Sequence, residues 1–172
     1  MKKGLITLQG STFDIVPVKP EDEQAIVDVY RLCEDFLALG PVATASIEMV
    51  RSDLMLSEKS GGIFCGIFRR LDSQMLGIVD FVPSGWLGDP TAAYLELLMI
   101  AAPYRRSGLG AEVVALVEQE IMRNPQILRI EAGVQVNNPS AVRFWQRMGY
   151  QIISGPELMP DGTTCFGLVK MI

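Results

Sequence analysis

The sequence has no histidine, only three cysteines, no long apolar run and no excess of basic charge. Each shortage removes a class of function. Without imidazole there is no histidine-containing hydrolase triad and no histidine metal ligand, and no side chain whose ordinary pKa lies near neutrality. A general base must then be a carboxylate, a shifted lysine, cysteine or tyrosine, or a water held by the backbone. Cys33, Cys65 and Cys165 are widely spaced and odd in number, which suggests neither a disulfide framework nor a clustered metal site and suits a reducing cytoplasm. No stretch approaches the roughly 20 apolar residues that span a bilayer. Lys2-Lys3 leads into Gly4, Thr7, Gln9 and Gly10, not into the apolar core of a secretory leader. The net charge of −5 argues against a nucleic-acid-binding surface and mildly favours a cationic partner. The expectation is a cytoplasmic protein with no metal, membrane or nucleic-acid partner.

What is present suits one domain spanning 1–172: 49% of the residues are hydrophobic and 20% charged, enough for a full core. Phe13–Val18 reads as a first strand. Pro20-Glu21-Asp22-Glu23 then starts a helix that buries Ile26, Val29, Cys33, Phe36 and Leu37 and stops at Gly40-Pro41. A second helix is expected from about Thr44 to Ser57, with Ile47, Val50 and Leu54 inward. Glu34, Asp35, Glu48 and Asp53 read as solvated charges. Gly61–Arg69 and Met75–Val82 form a hairpin, with Asp80 inside its second strand. The following loop carries Trp86, either as a binding group or as a cap on the core edge.

The chain is organised around Tyr94–Met122. Leu95–Ile100 is an apolar strand interrupted only by Glu96. Ala101-Ala102-Pro103-Tyr104 ends it, and Arg105-Arg106-Ser107-Gly108-Leu109-Gly110 opens a helix with Leu109, Val113, Leu116, Val117 and Ile121 on one face and Glu112, Glu118 and Glu120 largely opposite. A glycine turn entering a helix gathers unpaired N–H groups and the positive end of the helix dipole, which suits an anion. The alternative is an ordinary strand–helix turn. Ile127–Val136 is another strand. Asn138-Pro139-Ser140 caps a helix carrying Ala141, Phe144, Trp145 and Met148 and ending at Gly149, and Tyr150–Ile153 and Thr164–Met171 are the last strands. This order predicts an α+β fold with a largely antiparallel central sheet of about seven strands and about four helices.

Two motifs together carry a resemblance: Arg105-x-x-Gly108-x-Gly110 opening a helix, and Asn138-x-x-Ala141-x-x-Phe144-Trp145-x-x-x-Gly149-Tyr150 some way after it. With them the chain resembles the GNAT family of N-acetyltransferases over most of its length. The resemblance implies a sheet splayed between its fourth and fifth strands, with acetyl-CoA in the gap as cosubstrate. Leu98, Met99 and Ile100 would pair with the pantetheine amides, helped by a strand bulge. The pyrophosphate would lie over the N–H groups of Arg106, Ser107, Gly108, Leu109, Gly110 and Ala111, with charge from Arg105 and Arg106. Ser107 would either donate its hydroxyl or cap the helix. Asn138 would contact the cofactor, cap its own helix, or do both. Trp145 would be core or line the thiol end of the cofactor.

Trp145 is also a departure, because the family often has there a tyrosine thought to protonate the leaving thiolate. Tyr104 or a water is the substitute. The nucleophile is the harder problem: holding an amine of pKa about 10.4 unprotonated at pH 7 costs about 4–5 kcal/mol. Glu96 is the first candidate base, placed by strand alternation on the face of Tyr94, Leu98 and Ile100 with its pKa raised by burial; Asp80 is the second. The alternative for Glu96 is a carboxylate at the strand's solvated end. The expected activity is transfer of acetyl from acetyl-CoA to a primary amine by direct attack, with a non-catalytic acyl-CoA-binding module or sensor as the alternative. The acceptor and the oligomeric state stay open, a homodimer included.

Overall fold

The computed structural model describes residues 6–172, and every structural statement below concerns those residues. Eight strands form one sheet in the order β1-β2-β3-β4-β5-β6-β8-β7. They are β1 (Leu8–Gln9), β2 (Phe13–Pro17), β3 (Ile63–Arg69), β4 (Met75–Val82), β5 (Ala92–Ile100), β6 (Arg129–Gln135), β7 (Gln151–Leu158) and β8 (Thr164–Met171). The expected seven become eight because the short β1 pairs with β2 ahead of the first predicted strand. All neighbours are antiparallel except β5 and β6.

That exception shapes the molecule. The β5–β6 pairing covers only Ala92–Leu95 against Arg129–Ala132. Beyond it β5 continues to Ile100, whereas β6 stays paired to β8 along its whole length. The two strands part, and the sheet opens as a V between the fourth and fifth strands counted from Phe13, where the resemblance placed the gap.

Five helices flank the sheet: α1 (Glu23–Arg31), α2 (Glu34–Leu37), α3 (Ile47–Lys59), α4 (Leu109–Ile121) and α5 (Pro139–Arg147). The single first helix expected through Leu37 is broken at Leu32–Cys33, where Cys33 leaves helical geometry (φ −118°, ψ 17°). α3 begins three residues later than expected, because Ser46 is its cap and accepts the Met49 N–H at 3.1 Å. One face of the sheet packs on α4 and α5, with Val79, Phe81, Leu95, Val113, Val117, Ile130 and Trp145 in that core. The other packs on α1 and α3 through Ile26, Val29, Tyr30, Val50, Ile78 and Met99. Glu118 departs from the solvated face assigned to it: it is 6% exposed and accepts from Lys170 Nζ at 2.7 Å, so β8 supplies the cation that lets α4 bury it.

Candidate active site

The open edge of β5 is one wall of the site. The Ala101 N–H donates to the Leu76 carbonyl at 2.9 Å, and a Cβ on Gly77 would collide with the Met99 carbonyl. Met99 and Ala101 therefore spend their main-chain groups on β4. Alternation turns those of Leu98 and Ile100 toward the gap. Of the three residues expected to hold a pantetheine arm, Leu98 and Ile100 face the opening and Met99 faces away. The Ile100 carbonyl already accepts from Arg105 Nε at 2.7 Å and Cys33 Sγ at 3.4 Å, so Leu98 offers the complete donor–acceptor pair.

The turn into α4 is the next element. Gly108 is its cap at φ +84°, a left-handed conformation that disfavours any residue with a Cβ. The first intrahelical bond runs from the Glu112 N–H to Gly108, which leaves the N–H groups of Leu109, Gly110 and Ala111 without an intrahelical partner. Gly108 faces open space, and a Cβ on Gly110 would only touch the Phe144 ring at 3.6 Å and Ile100 at 3.7 Å. No protein atom demands glycine at 110. Ser107 Oγ donates to the Tyr104 carbonyl at 2.8 Å, which closes the loop. Arg106 is exposed at φ +59°, whereas Arg105 turns back to Asp35.

Glu96 lies in a bulge of β5. Asp80 sits opposite Leu97 and Phe81 opposite Leu95, so Glu96 is the extra residue. The bulge reverses alternation: Ala93, Leu95, Leu98 and Ile100 meet the α4-side core, and Leu97 and Met99 meet the α1–α3 core. Glu96 thus shares a face with Tyr94, as expected, but not with Leu98 and Ile100, because a bulge places two successive side chains on one side. Its Oε2 is shielded from solvent and has no hydrogen-bond partner. Burial first, and then the charges of Asp80 and Asp53, raise its carboxyl above the ordinary glutamate range.

Asp80 is 2% exposed and accepts from Ser57 Oγ at 2.7 Å, so it shapes the field around Glu96 from inside the protein. Asp53, read from the sequence as solvated, accepts from the buried Tyr30 hydroxyl at 2.6 Å, and burial pushes its carboxyl up. Asp53 and Ser57 are one turn apart on α3, on the face of Val50. That i, i+4 spacing was the signal that could have found them. Trp86 stacks flat on Tyr94, centroids 3.9 Å apart and planes 8° apart, and extends the same face. Burial and Glu96 push the Tyr94 hydroxyl up to about 12.

Other expected residues fall elsewhere. Tyr104 packs on the α4-side core with the Arg69 guanidinium 5.5 Å from its ring centre, so the structure does not bring it to the Glu96 face. Asn138 caps α5, its Oδ1 accepting the Ala141 N–H at 3.2 Å. Trp145 is 7% exposed and packs edge-on to Tyr150 at 5.0 Å, whereas the half-buried Phe144 stands beside Gly110 and Ile100. Trp145 thus takes the core alternative, while Phe144 packs on the same core and borders the gap. No group of His, Cys, Asp or Glu among the described residues could hold a metal ion, and no helix is long and apolar enough to cross a membrane.

A family model described as acetyltransferase (GNAT) family matches residues 27–150. The chain belongs to the GNAT acetyltransferases. Over 60 residues, 35% of this chain, it is 35% identical to N-alpha-acetyltransferase 50 of Danio rerio; the match spans only about a third of that relative's length, 36%. Among solved structures it is similar to an acetyltransferase from Thermus thermophilus, with a TM-score of 0.77 and 24% identity over 97% of this chain and 100% of that one. It is similar also to a spermidine N-acetyltransferase from Vibrio cholerae solved with CoA and spermine, with a TM-score of 0.69 and 10% identity over 94% and 96% of the two chains. At these identities the structural likeness speaks to the GNAT fold. The opened β5 edge, the left-handed glycine and the unpartnered N–H groups of α4 fit a CoA thioester lying across the V.

Proposed function

We propose that the protein, as one domain over 1–172, transfers acetyl from acetyl-CoA to a primary amine by direct attack. The observation that carries this reading is Glu96, a half-buried carboxylate with a shielded, unpartnered oxygen beside the strand edge that opens into the gap. When bound, acetyl-CoA supplies an activated thioester. The Leu98 carbonyl and the Ile100 N–H hold the pantetheine arm, the N–H groups at the start of α4 and the Arg106 guanidinium hold the pyrophosphate, and the Leu98 N–H polarises the acyl carbonyl. Glu96 takes the proton from the acceptor ammonium, its raised pKa bringing it closer to that of the amine. Asp80 and Asp53 keep that pKa high. Trp86 and Tyr94 wall the acceptor side. With Trp145 in the core, the thiol leaves as thiolate, tolerable at a pKa of about 8.5, or takes its proton from water.

The test is a panel of amines (N-terminal peptides, lysine peptides, polyamines and aminoglycosides) with acetyl-CoA and free-thiol detection. Turnover on at least one acceptor is expected. Tight CoA binding with no turnover would instead establish the non-catalytic reading, which the buried Trp145 favours. Absence of CoA binding would overturn both.

A further inference from the structure

Arg105 opens the glycine turn, where a cation would ordinarily serve a phosphate. Its guanidinium points the other way. Nη1 and Nη2 meet the two Asp35 oxygens at 2.5 and 3.1 Å, while Nε donates to the Ile100 carbonyl at 2.7 Å. The hydrogen bond from Arg105 holds the Asp35 carboxyl below the usual range. Two further bonds join the same segments: the Ala102 N–H donates to the Leu32 carbonyl at 3.2 Å, and Cys33 Sγ to Ile100 at 3.4 Å. The break between α1 and α2 therefore lies where the chain turns to grip the end of β5. A helix continuing through Leu32 and Cys33 would aim the Leu32 carbonyl along its own axis and move Asp35 out of reach.

We propose that Asp35 and Arg105 are positioning residues that brace the loop 101–107 against the α1–α2 corner. They thereby set where the N–H groups of Leu109, Gly110 and Ala111 point, and they leave Arg106 as the cation facing the ligand. The inference rests on the acetyl-CoA reading above. It reverses the sign expected from charge alone: removing a carboxylate beside an anion site should tighten anion binding, whereas removing half of a brace should weaken it.

Calorimetric titration with free CoA separates the two, since it needs no acceptor. Asp35→Asn and Arg105→Lys are each expected to raise the CoA Kd about fivefold, the worth of one net hydrogen bond. A lysine keeps the charge but cannot fork between Asp35 and Ile100. The double variant should bind no worse than the weaker single, and Asp35→Glu should stay within about twofold of wild type, both at nearly unchanged melting temperature. Asp35→Asn binding equally or more tightly, or fully multiplicative losses in the double variant, would overturn the brace. Failure of the wild-type protein to bind CoA would remove the acetyl-CoA reading itself, and the brace with it.

Discussion

Glu96→Gln keeps the shape of the side chain and removes its charge, and it should move activity and stability in opposite directions. In the folded chain burial and two neighbouring carboxylates raise the Glu96 pKa. The folded state therefore holds this proton more tightly than the unfolded chain, whose glutamate titrates near 4.3. The stability from Glu96 is fully present below that value and is lost as pH rises through the higher folded pKa. At pH 7 the wild-type protein carries more of this charge penalty than at pH 4, and the glutamine variant, which cannot ionise, carries none of it. Glutamine leaves a polar atom at the same shielded position, so only the charge penalty is relieved, which for a half-buried group is on the order of 1 kcal/mol. In a chain of this length that raises Tm by roughly 2–4 °C. Scanning calorimetry should show this gain at pH 7 and almost none at pH 4. Acetyl transfer should fall about 10²–10⁴-fold, the range for loss of a general base, and the acidic limb of the kcat/KM profile should disappear. An unchanged Tm at pH 7 with an unaltered pH–rate profile would refute both the burial argument and the assignment of the base.

Gly110→Ala should raise the CoA Kd several-fold while leaving the melt nearly unchanged, since a Cβ at 110 makes only ordinary contacts within the protein; unchanged affinity by calorimetry would remove the pyrophosphate from this turn. It is a cleaner probe than Gly108, where any side chain also strains the left-handed cap. Trp145→Ala should cost about 3–5 kcal/mol in urea unfolding, as deletion of a core aromatic does. A loss of CoA binding with stability intact would instead return Trp145 to the cofactor side.

Much of the fold was legible because its signals are local. The β3–β4 hairpin, the glycine turn into α4 and the Asn138-Pro139 start of α5 each follow from residues adjacent in sequence. Errors arose where a distant segment supplied the deciding contact. The first helix reads as continuous through Leu37, but Ala102 and Arg105, some 70 positions on, claim Leu32 and Asp35. Glu118 reads as solvated until Lys170 reaches it. Asp53 reads as solvated until the Tyr30 hydroxyl meets it.

By itself the sequence determined the family, the glycine turn into α4 and the candidacy of Glu96, because a carboxylate within an apolar strand stands out without any partner being known. Only the tertiary structure decided which residues join Glu96 and Tyr94 on their face of β5. That depends on a single extra residue in β5 relative to β4, and a one-residue offset inverts every side chain beyond it. Strand pairing, which no local pattern encodes, put Asp80 and Asp53 near Glu96 and turned Leu98 and Ile100 to the opposite face.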